Sequence, residues 1–135
     1  MKVYLDENMP EQIAMALNTI QKVLNKKEGT HVEVTSIVSE FGHGAEDEVW
    51  LPKVNGSIVI TQDFNIQRTR HQKRLYLEHG VGMLFIKVSG KKGLDFWSFF
   101  KLLVKSWDEI RKVAARKHPP FAYLIDGKGK LKELE

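Results

Sequence analysis

The chain contains no cysteine among its 135 residues, so a disulfide scaffold, a zinc-thiolate site and a cysteine nucleophile are excluded. It has no apolar run close to the roughly 18 residues that a membrane span requires. The first stretch, MKVYLDENMP, has an acid at its sixth position, which is not typical of a signal peptide. From these absences we expect a protein of the cytoplasm that has no contact with a membrane.

The overall composition is that of an ordinary folded protein, with 42% apolar and 28% charged residues. Intrinsic disorder is therefore excluded as its main description. A chain of this length can bury about two thirds of its unfolded surface in one core. No repeat, low-complexity tract or long linker divides the sequence. We predict a single domain over residues 1–135.

Charge is unevenly distributed along the chain. The net charge is +4, from 21 basic and 17 acidic residues. Residues 1–65 hold five Lys or Arg and ten Asp or Glu, whereas residues 66–135 hold sixteen and seven. An acidic half joined to a basic half indicates a cation site beside a surface for a polyanion. The alternative is uneven solvation of two halves without a functional meaning.

The hydrophobic pattern alternates between strands and helices along the whole chain. Strands are predicted over residues 2–5, 32–38, 57–61, 82–88, 121–125 and 130–134, and helices over residues 10–26, 45–51, 66–79 and about 94–116. In the last helix the predicted core stripe includes Phe96, Phe100 and Trp107, and its aromatic residues are assigned to the core. This alternation predicts an α/β fold built on a parallel sheet.

Three acids fall where a parallel sheet commonly binds its ligands. Asp6 follows the first strand and Asp63 follows the third, and ligands of such sheets bind beyond the carboxyl ends of the strands. Asp47 shares a helical face with Trp50 and Leu51, so we expect it to point toward the sheet and Glu48 to point away. Clustered carboxylates are tolerable around a divalent cation, and oxygen ligands favour Mg²⁺ or Mn²⁺. Each acid also has a structural alternative, as a helix cap, a first-turn acid or a turn residue.

A basic segment follows the third acid. Residues 67–74 contain four cations and no apolar side chain: Arg68, Arg70, Lys73 and Arg74. A helix without an apolar stripe is expected to protrude from the core, which suits contact with RNA phosphates. The alternative is an ordinary solvated start of a helix.

Three motifs carry a resemblance to a known family. VYLDENMP, GAEDEVW and IVITQDFNI, in this order and spacing, resemble the PIN-like domain family, in particular its VapC-type toxin subgroup. The likeness continues through FWSFFKLLVKSWDEI and PFAYLI. It implies a three-layer α/β/α sandwich with a mainly parallel central sheet.

The resemblance also implies an activity and partners. It implies a metal-dependent ribonuclease that hydrolyses RNA phosphodiester bonds, with Mg²⁺ or Mn²⁺ held by Asp6, Asp47 and Asp63. Toxins of this type are commonly neutralised by a cognate antitoxin, and many PIN domains form homodimers. We therefore expect the toxin of a toxin–antitoxin pair.

One position departs from the family pattern. Relatives often carry a second acid two residues after Asp63, where this chain has Asn65. If the backbone there is extended, both side chains point to the same side. Asn65 would then be a neutral ligand that holds the metal weakly.

Two other interpretations stay open. Asn65 favours a binding module that keeps the PIN fold and holds RNA or a partner protein without cleaving it. A signalling receiver domain would use the acidic pair at Asp6, the aspartate at Asp63 and a hydroxyl at Ser89. The receiver's lysine after the last strand has no counterpart here, and the basic segment is left unexplained.

Overall fold

The structure, a computed structural model, describes residues 1–68, 70–87 and 95–134, and the side chains of Asn65 and Arg68 lie outside that description. Its strands are β1 (Lys2–Leu5), β2 (Glu33–Ser36), β3 (Ile58–Thr61), β4 (Gly82–Ile86), β5 (Phe121–Ile125) and β6 (Leu131–Glu133). Its helices are α1 (Glu11–Glu28), α2 (Ile37–Phe41), α3 (Asp47–Trp50), α4 (Asn65–Arg68), α5 (Arg70–Glu78) and α6 (Phe96–Arg116). A short 3-10 helix at Leu51–Lys53 follows α3.

The described strands form one sheet in the order β2-β1-β3-β4-β5-β6. Every neighbouring pair is parallel except β5 and β6, which are antiparallel. Val3 of β1 pairs with Val34 on one side and with Ile58 on the other. The direction of the strand order therefore reverses at β1, and the carboxyl ends of β1 and β3 meet where α/β proteins bind ligands.

Helices cover both faces of the sheet. On one face, α1 and α6 bury side chains such as Ile13, Leu17 and Leu103 against β1, β3 and β4. On the other face, α2 to α5 contribute Ile37, Trp50 and other side chains to a second apolar cluster. Strands buried on both sides are typical of parallel sheets, and β3 is buried along its whole length. The predicted three-layer α/β/α sandwich is confirmed.

The second strand is shorter than its apolar pattern predicts. β2 ends at Ser36, and Ile37 begins α2 instead of continuing the strand. The Ser36 side chain accepts a hydrogen bond from the backbone N–H of Ser39 at 3.0 Å, which caps the new helix. The assignment of Ile37 and Val38 to a strand was wrong. The Ser36 cap favours a helix that begins at Ile37, and it prevails over the strand preference of these two β-branched residues.

The first half-turn of α6 departs from the predicted core stripe. Phe96 is 49% exposed and Trp97 is 60% exposed, so the assignment of these aromatic residues to the core was wrong. The stripe that faces the sheet includes Phe99, Leu103 and Trp107, which are buried. Among the described residues, no helix combines the length and the hydropathy of a membrane span.

A close approach between β4 and β5 gives a test of the packing. A Cβ atom on Gly82 would lie 2.4 Å from the Phe121 ring, whereas nothing lies within 4 Å of one on Gly127. Gly82→Ala is therefore expected to lower the free energy of unfolding by about 1–3 kcal/mol, because the ring or the strand must shift. Gly127→Ala, the matched control, should leave stability unchanged or slightly raised. Urea denaturation of both variants measures the difference, and equal stabilities would contradict this packing.

Candidate active site

The loops after β1 and β3 are joined to each other and carry two of the three acids. The backbone N–H of Asp6 donates to the carbonyl of Ile60 at 3.0 Å, which extends the pairing of the two strands by one step. The Gln62 amide donates to the carbonyl of Asn8 at 3.2 Å. Asp63 follows at once on the β3 side. These bonds fix the two loops side by side at the point where the strand order reverses.

A cavity of about 240 Å³ lies at this position. It is lined by Asp6, Glu7, Asn8, Ala45, Asp47 and Asp63. All three acids singled out from the sequence therefore border one space, although they come from three separate segments of the chain. Their role as metal ligands stays a prediction.

Asp6 is buried and is held by two hydrogen bonds. Its Oδ1 accepts the backbone N–H of Glu7 at 2.7 Å, and its Oδ2 accepts the hydroxyl of Thr61 at 2.6 Å. Burial raises the pKa of Asp6 above its usual value, the two hydrogen bonds oppose that rise, and the nearby charges of Asp63 and Glu7 add to it. Each carboxylate oxygen has a second lone pair left, so these bonds do not prevent Asp6 from binding a cation.

The hydroxyl of Thr61 connects the two acids. Thr61 is fully buried, donates to Asp6, and accepts the backbone N–H of Asp63 at 2.9 Å. One side chain thus orients a carboxylate of the first loop and the backbone of the second. Sequence reasoning missed this residue, although a hydroxyl two residues before Asp63 at the end of a buried strand is a visible signal.

Asp47 lies at the start of α3 and is partly buried. Its pKa is raised to about 6, chiefly by burial and then by the charges of Asp6, Asp63 and Glu48, while a hydrogen bond from Trp50 opposes the rise. The three acids therefore lie close enough for their charges to interact. Glu48 itself is exposed and does not line the cavity.

A residue of α5 also reaches the cavity wall. The Gln72 amide donates to Oδ2 of Asp47 at 3.0 Å. This contact brings the helix of the basic segment next to the acids. The sequence alone gave no signal for Gln72, because the contact joins residues 25 positions apart that only the folded chain brings together.

Glu7 fastens the loop that leads to α3. Its Oε1 accepts the backbone N–H of Gly44 at 2.7 Å and lies 4.0 Å from Nδ1 of His43. The loop at residues 42–44 is thereby tied to the segment that follows β1. Glu7 helps to position Asp47 because α3 begins three residues after this loop.

The chemistry of the cavity fits a hard divalent cation in its donor set. Its acidic lining consists of carboxylates, and the charges of neighbouring acids add to burial in raising the pKa of Asp6 and of Asp47. Within the described residues, however, no group of three or more His, Cys, Asp or Glu is arranged so that it could hold one ion. A cation would therefore have to draw these side chains closer together.

The backbone at Asn65 is not extended, although the argument for Asn65 as a metal ligand required an extended backbone. The backbone begins α4 at Asn65, so it is helical there and not extended. The argument that Asn65 and Asp63 point to the same side therefore fails. The side chain of Asn65 lies outside the described part of the structure, and so does Ser89, on which the receiver interpretation depends.

The basic segment forms the end of α4 and most of α5. Arg70 and Arg74 are exposed on α5, and Lys73 is partly buried. The side chain of Arg68 is outside the description. The two arginines of α5 are thus exposed, as the prediction of a protruding helix requires. Tyr76 of the same helix is buried in the core.

Removal of the Thr61 hydroxyl tests its connecting role. Thr61→Val keeps the shape of the side chain but leaves the Asp63 N–H without its buried acceptor and takes a donor from Asp6. We expect the free energy of unfolding to fall by about 1–3 kcal/mol. Thr35→Val, on the more exposed β2, is the control and should change stability little. Chemical denaturation of both variants in EDTA gives the comparison, and equal effects would refute the connecting role.

The raised pKa of Asp47 gives stability a defined pH dependence in the metal-free protein. The unfolded carboxyl releases its proton near pH 4 and the folded one near pH 6, so the folded state binds more protons in between. The free energy of unfolding should therefore fall as the pH rises through this window, and Asp6 acts in the same direction. Asp47→Asn should make the decline shallower. Urea titrations at pH 5 and 7 in EDTA measure it, and an equally steep decline in the variant would count against the shift.

Comparison with known proteins now identifies the family. The family model described as a PIN-like domain matches residues 1–88, which is more than half of the chain and contains the whole acidic cavity. Our comparisons with curated proteins and with solved structures gave no significant match. PIN domains are generally nucleases and typically use divalent metals, whereas the VapC-type subgroup stays a prediction. The chain belongs to the PIN-like domain family.

Proposed function

We propose that this protein is a Mg²⁺- or Mn²⁺-dependent endoribonuclease that hydrolyses RNA phosphodiester bonds. The observation that carries the proposal is the convergence of Asp6, Asp47 and Asp63 on one cavity at the reversal of the strand order. Burial and mutual repulsion raise the pKa of two of these acids, and such perturbed groups in a cleft are typical of functional sites.

The three acids would hold the metal. A divalent ion held there would polarise a phosphoryl oxygen and lower the pKa of the water that acts as nucleophile. Thr61 keeps one oxygen of Asp6 in a fixed direction through its short hydrogen bond. Asp47, with a pKa of about 6, is mostly ionised at neutral pH and is then available as a ligand. Acidic conditions protonate it, so binding should weaken as the pH falls below 6.

The RNA would lie along α5. Arg70 and Arg74 are exposed on this helix, and Gln72 lies between them in sequence and contacts Asp47. Phosphates bound by the two arginines would therefore pass close to the acidic cavity. Arg68 and Lys73 complete the proposed phosphate contacts. An acidic cavity repels RNA unless a cation is present, which makes metal binding and substrate binding mutually supportive.

The biological role that we propose is that of a toxin in the cytoplasm, neutralised by a cognate antitoxin protein and able to form a homodimer. This part of the proposal is supported by the resemblance of the three motifs to VapC-type toxins. Co-purification of a partner encoded beside the protein, together with sedimentation of the purified chain, would test it.

One observation favours a second candidate function. Because the described acids are not arranged to hold one ion together, a PIN-fold module that binds RNA without cleaving it is the alternative. RNA binding that is unaffected by EDTA, with no cleavage in Mn²⁺, would select this alternative over the nuclease.

Substitution of the acids tests the nuclease directly. Asp6→Asn, Asp47→Asn and Asp63→Asn each remove one proposed ligand charge at nearly constant shape. We expect each to lower the rate of Mn²⁺-dependent RNA cleavage by at least about 100-fold, because outer-shell residues alone already contribute 10–100-fold at metal sites. Glu48→Gln is the control, since Glu48 is exposed beside Asp47 but does not line the cavity. Cleavage that persists in the Asn variants, or that fails equally in the control, contradicts the assignment.

A further inference from the structure

An exposed aromatic surface lies at the start of α6, outside the acidic cavity and outside the residues that the family model matches. We propose that this surface, formed by Trp97, Phe100, Lys101 and Lys105, binds single-stranded RNA by stacking a nucleobase on Trp97. The inference rests on the proposed function, because it takes RNA as the substrate.

Trp97 is available for stacking and is already oriented. It is 60% exposed, and its ring lies 5.7 Å from that of Phe100, tilted by 38°. A neighbouring ring restricts the rotamers of the indole, so less conformational freedom is lost when a base binds. Stacking on exposed aromatic rings is how proteins commonly hold unpaired bases, and it depends little on sequence.

Lysines accompany the indole on the same helix face. Lys101 follows Trp97 by four residues and Lys105 follows by eight, which places all three on one side of α6. Both lysines are exposed. An aromatic side chain followed by cations at one-turn intervals matches the alternation of bases and phosphates along a single strand.

The turn between β5 and β6 adds to this charge. A Cβ on Gly129 would lie 3.2 Å from Cγ of Lys105, so the turn packs directly against α6. It carries the exposed Lys128 and Lys130. The two lysines that flank Gly129 are therefore neighbours in sequence of a residue that packs against Lys105.

Nearby acids are occupied by other partners. Asp95 accepts the backbone N–H of Ser98 at 2.8 Å, and Asp126 accepts two backbone N–H groups within its own turn. Asp108 forms an ion pair with Arg111. Within the described residues, none of the four lysines takes part in an ion pair: Lys101, Lys105, Lys128 and Lys130. Asp95 lies near enough to Lys101, and Asp126 near enough to Lys128 and Lys130, for their charges to interact, but these acids are fewer than the four lysines, so a positive balance is left for an anionic partner.

The position in the fold connects this surface to the acidic cavity. α6 begins beyond the carboxyl end of β4, at the same edge of the sheet as Asp6 and Asp63. It lies on one face of the sheet, and α5 with Arg70 and Arg74 lies on the other. A strand of RNA that crosses this edge above the cavity would contact basic groups on both faces.

Charge also argues against a second copy of the chain as the occupant. A two-fold interface brings a surface against its own equivalent, so Lys101 and Lys105 of both copies would be gathered in one interface. A polyanion relieves this repulsion, and the aromatic ring favours one that carries bases.

Intrinsic fluorescence tests the proposal, because Trp97 is the exposed member of three tryptophans. Trp50 is 1% exposed and Trp107 is 5% exposed. We expect a single-stranded oligouridylate to quench the emission in EDTA, whereas polyphosphate, which has charge but no bases, should not. Trp97→Leu should abolish the quench and weaken oligouridylate binding by about fivefold to 100-fold, and Trp97→Phe should recover most of the affinity. Met15→Leu, at an exposed apolar position on α1, is the control and should bind like the wild type.

Several outcomes would overturn the proposal. One is equal oligouridylate affinity in wild type and Trp97→Leu. Others are quenching by polyphosphate, or quenching by anionic phospholipid vesicles but not by oligouridylate. A last one is that Trp97→Leu changes the sedimentation of the protein but not its affinity for RNA. Because binding is measured in EDTA, its result does not depend on cleavage. Quenching without cleavage would support the RNA-binding surface and contradict the nuclease assignment. Cleavage without quenching would support the nuclease assignment and contradict the RNA-binding surface.

Discussion

Mutual repulsion among Asp6, Asp47 and Asp63 is the constraint around which the site is arranged. Carboxylates do not gather spontaneously, and the charges of Asp6 and Asp63 add to burial, the largest cause, in raising the pKa of Asp47 to about 6. The parallel pairing of β1 with β3 forces Asp6 and Asp63 together, because both follow strands that end at the same edge. The fold stabilises this arrangement with hydrogen bonds from Thr61, Glu7 N–H and Gln72, and a cation would stabilise it more directly.

The uneven distribution of charge along the chain bears on the same site. An acidic cavity alone would keep RNA away, yet basic groups lie close to it on α5 and beside the start of α6. Under the proposed function, the basic rim would attract a polyanion while the acidic centre would accept a cation. Binding of either one reduces the electrostatic cost of binding the other. In this proposal the acidic and the basic half of the chain would act together at a single edge of the sheet.

The sequence predicted the parts of this arrangement that depend on regular geometry. Alternating strands and helices imply a parallel sheet, and a parallel sheet places the residues after β1 and β3 at one edge. Thr61 and Gln72 could not be found in this way, because their contacts depend on side-chain directions in the folded chain. The exposure of Trp97 was also missed. The spacing of apolar residues predicts which face of a helix is apolar. It does not reveal how far along the helix the sheet covers that face.

Calorimetric titration of the wild-type protein with Mn²⁺, in two buffers of different ionisation enthalpy, tests the central claim most directly. If the ion binds Asp47, it must displace the proton that this carboxyl holds when its pKa is about 6. We expect release of about half a proton per ion at pH 6 and almost none at pH 8. Absence of Mn²⁺ binding at both pH values, or binding whose proton release is the same at pH 6 and pH 8, would contradict the account.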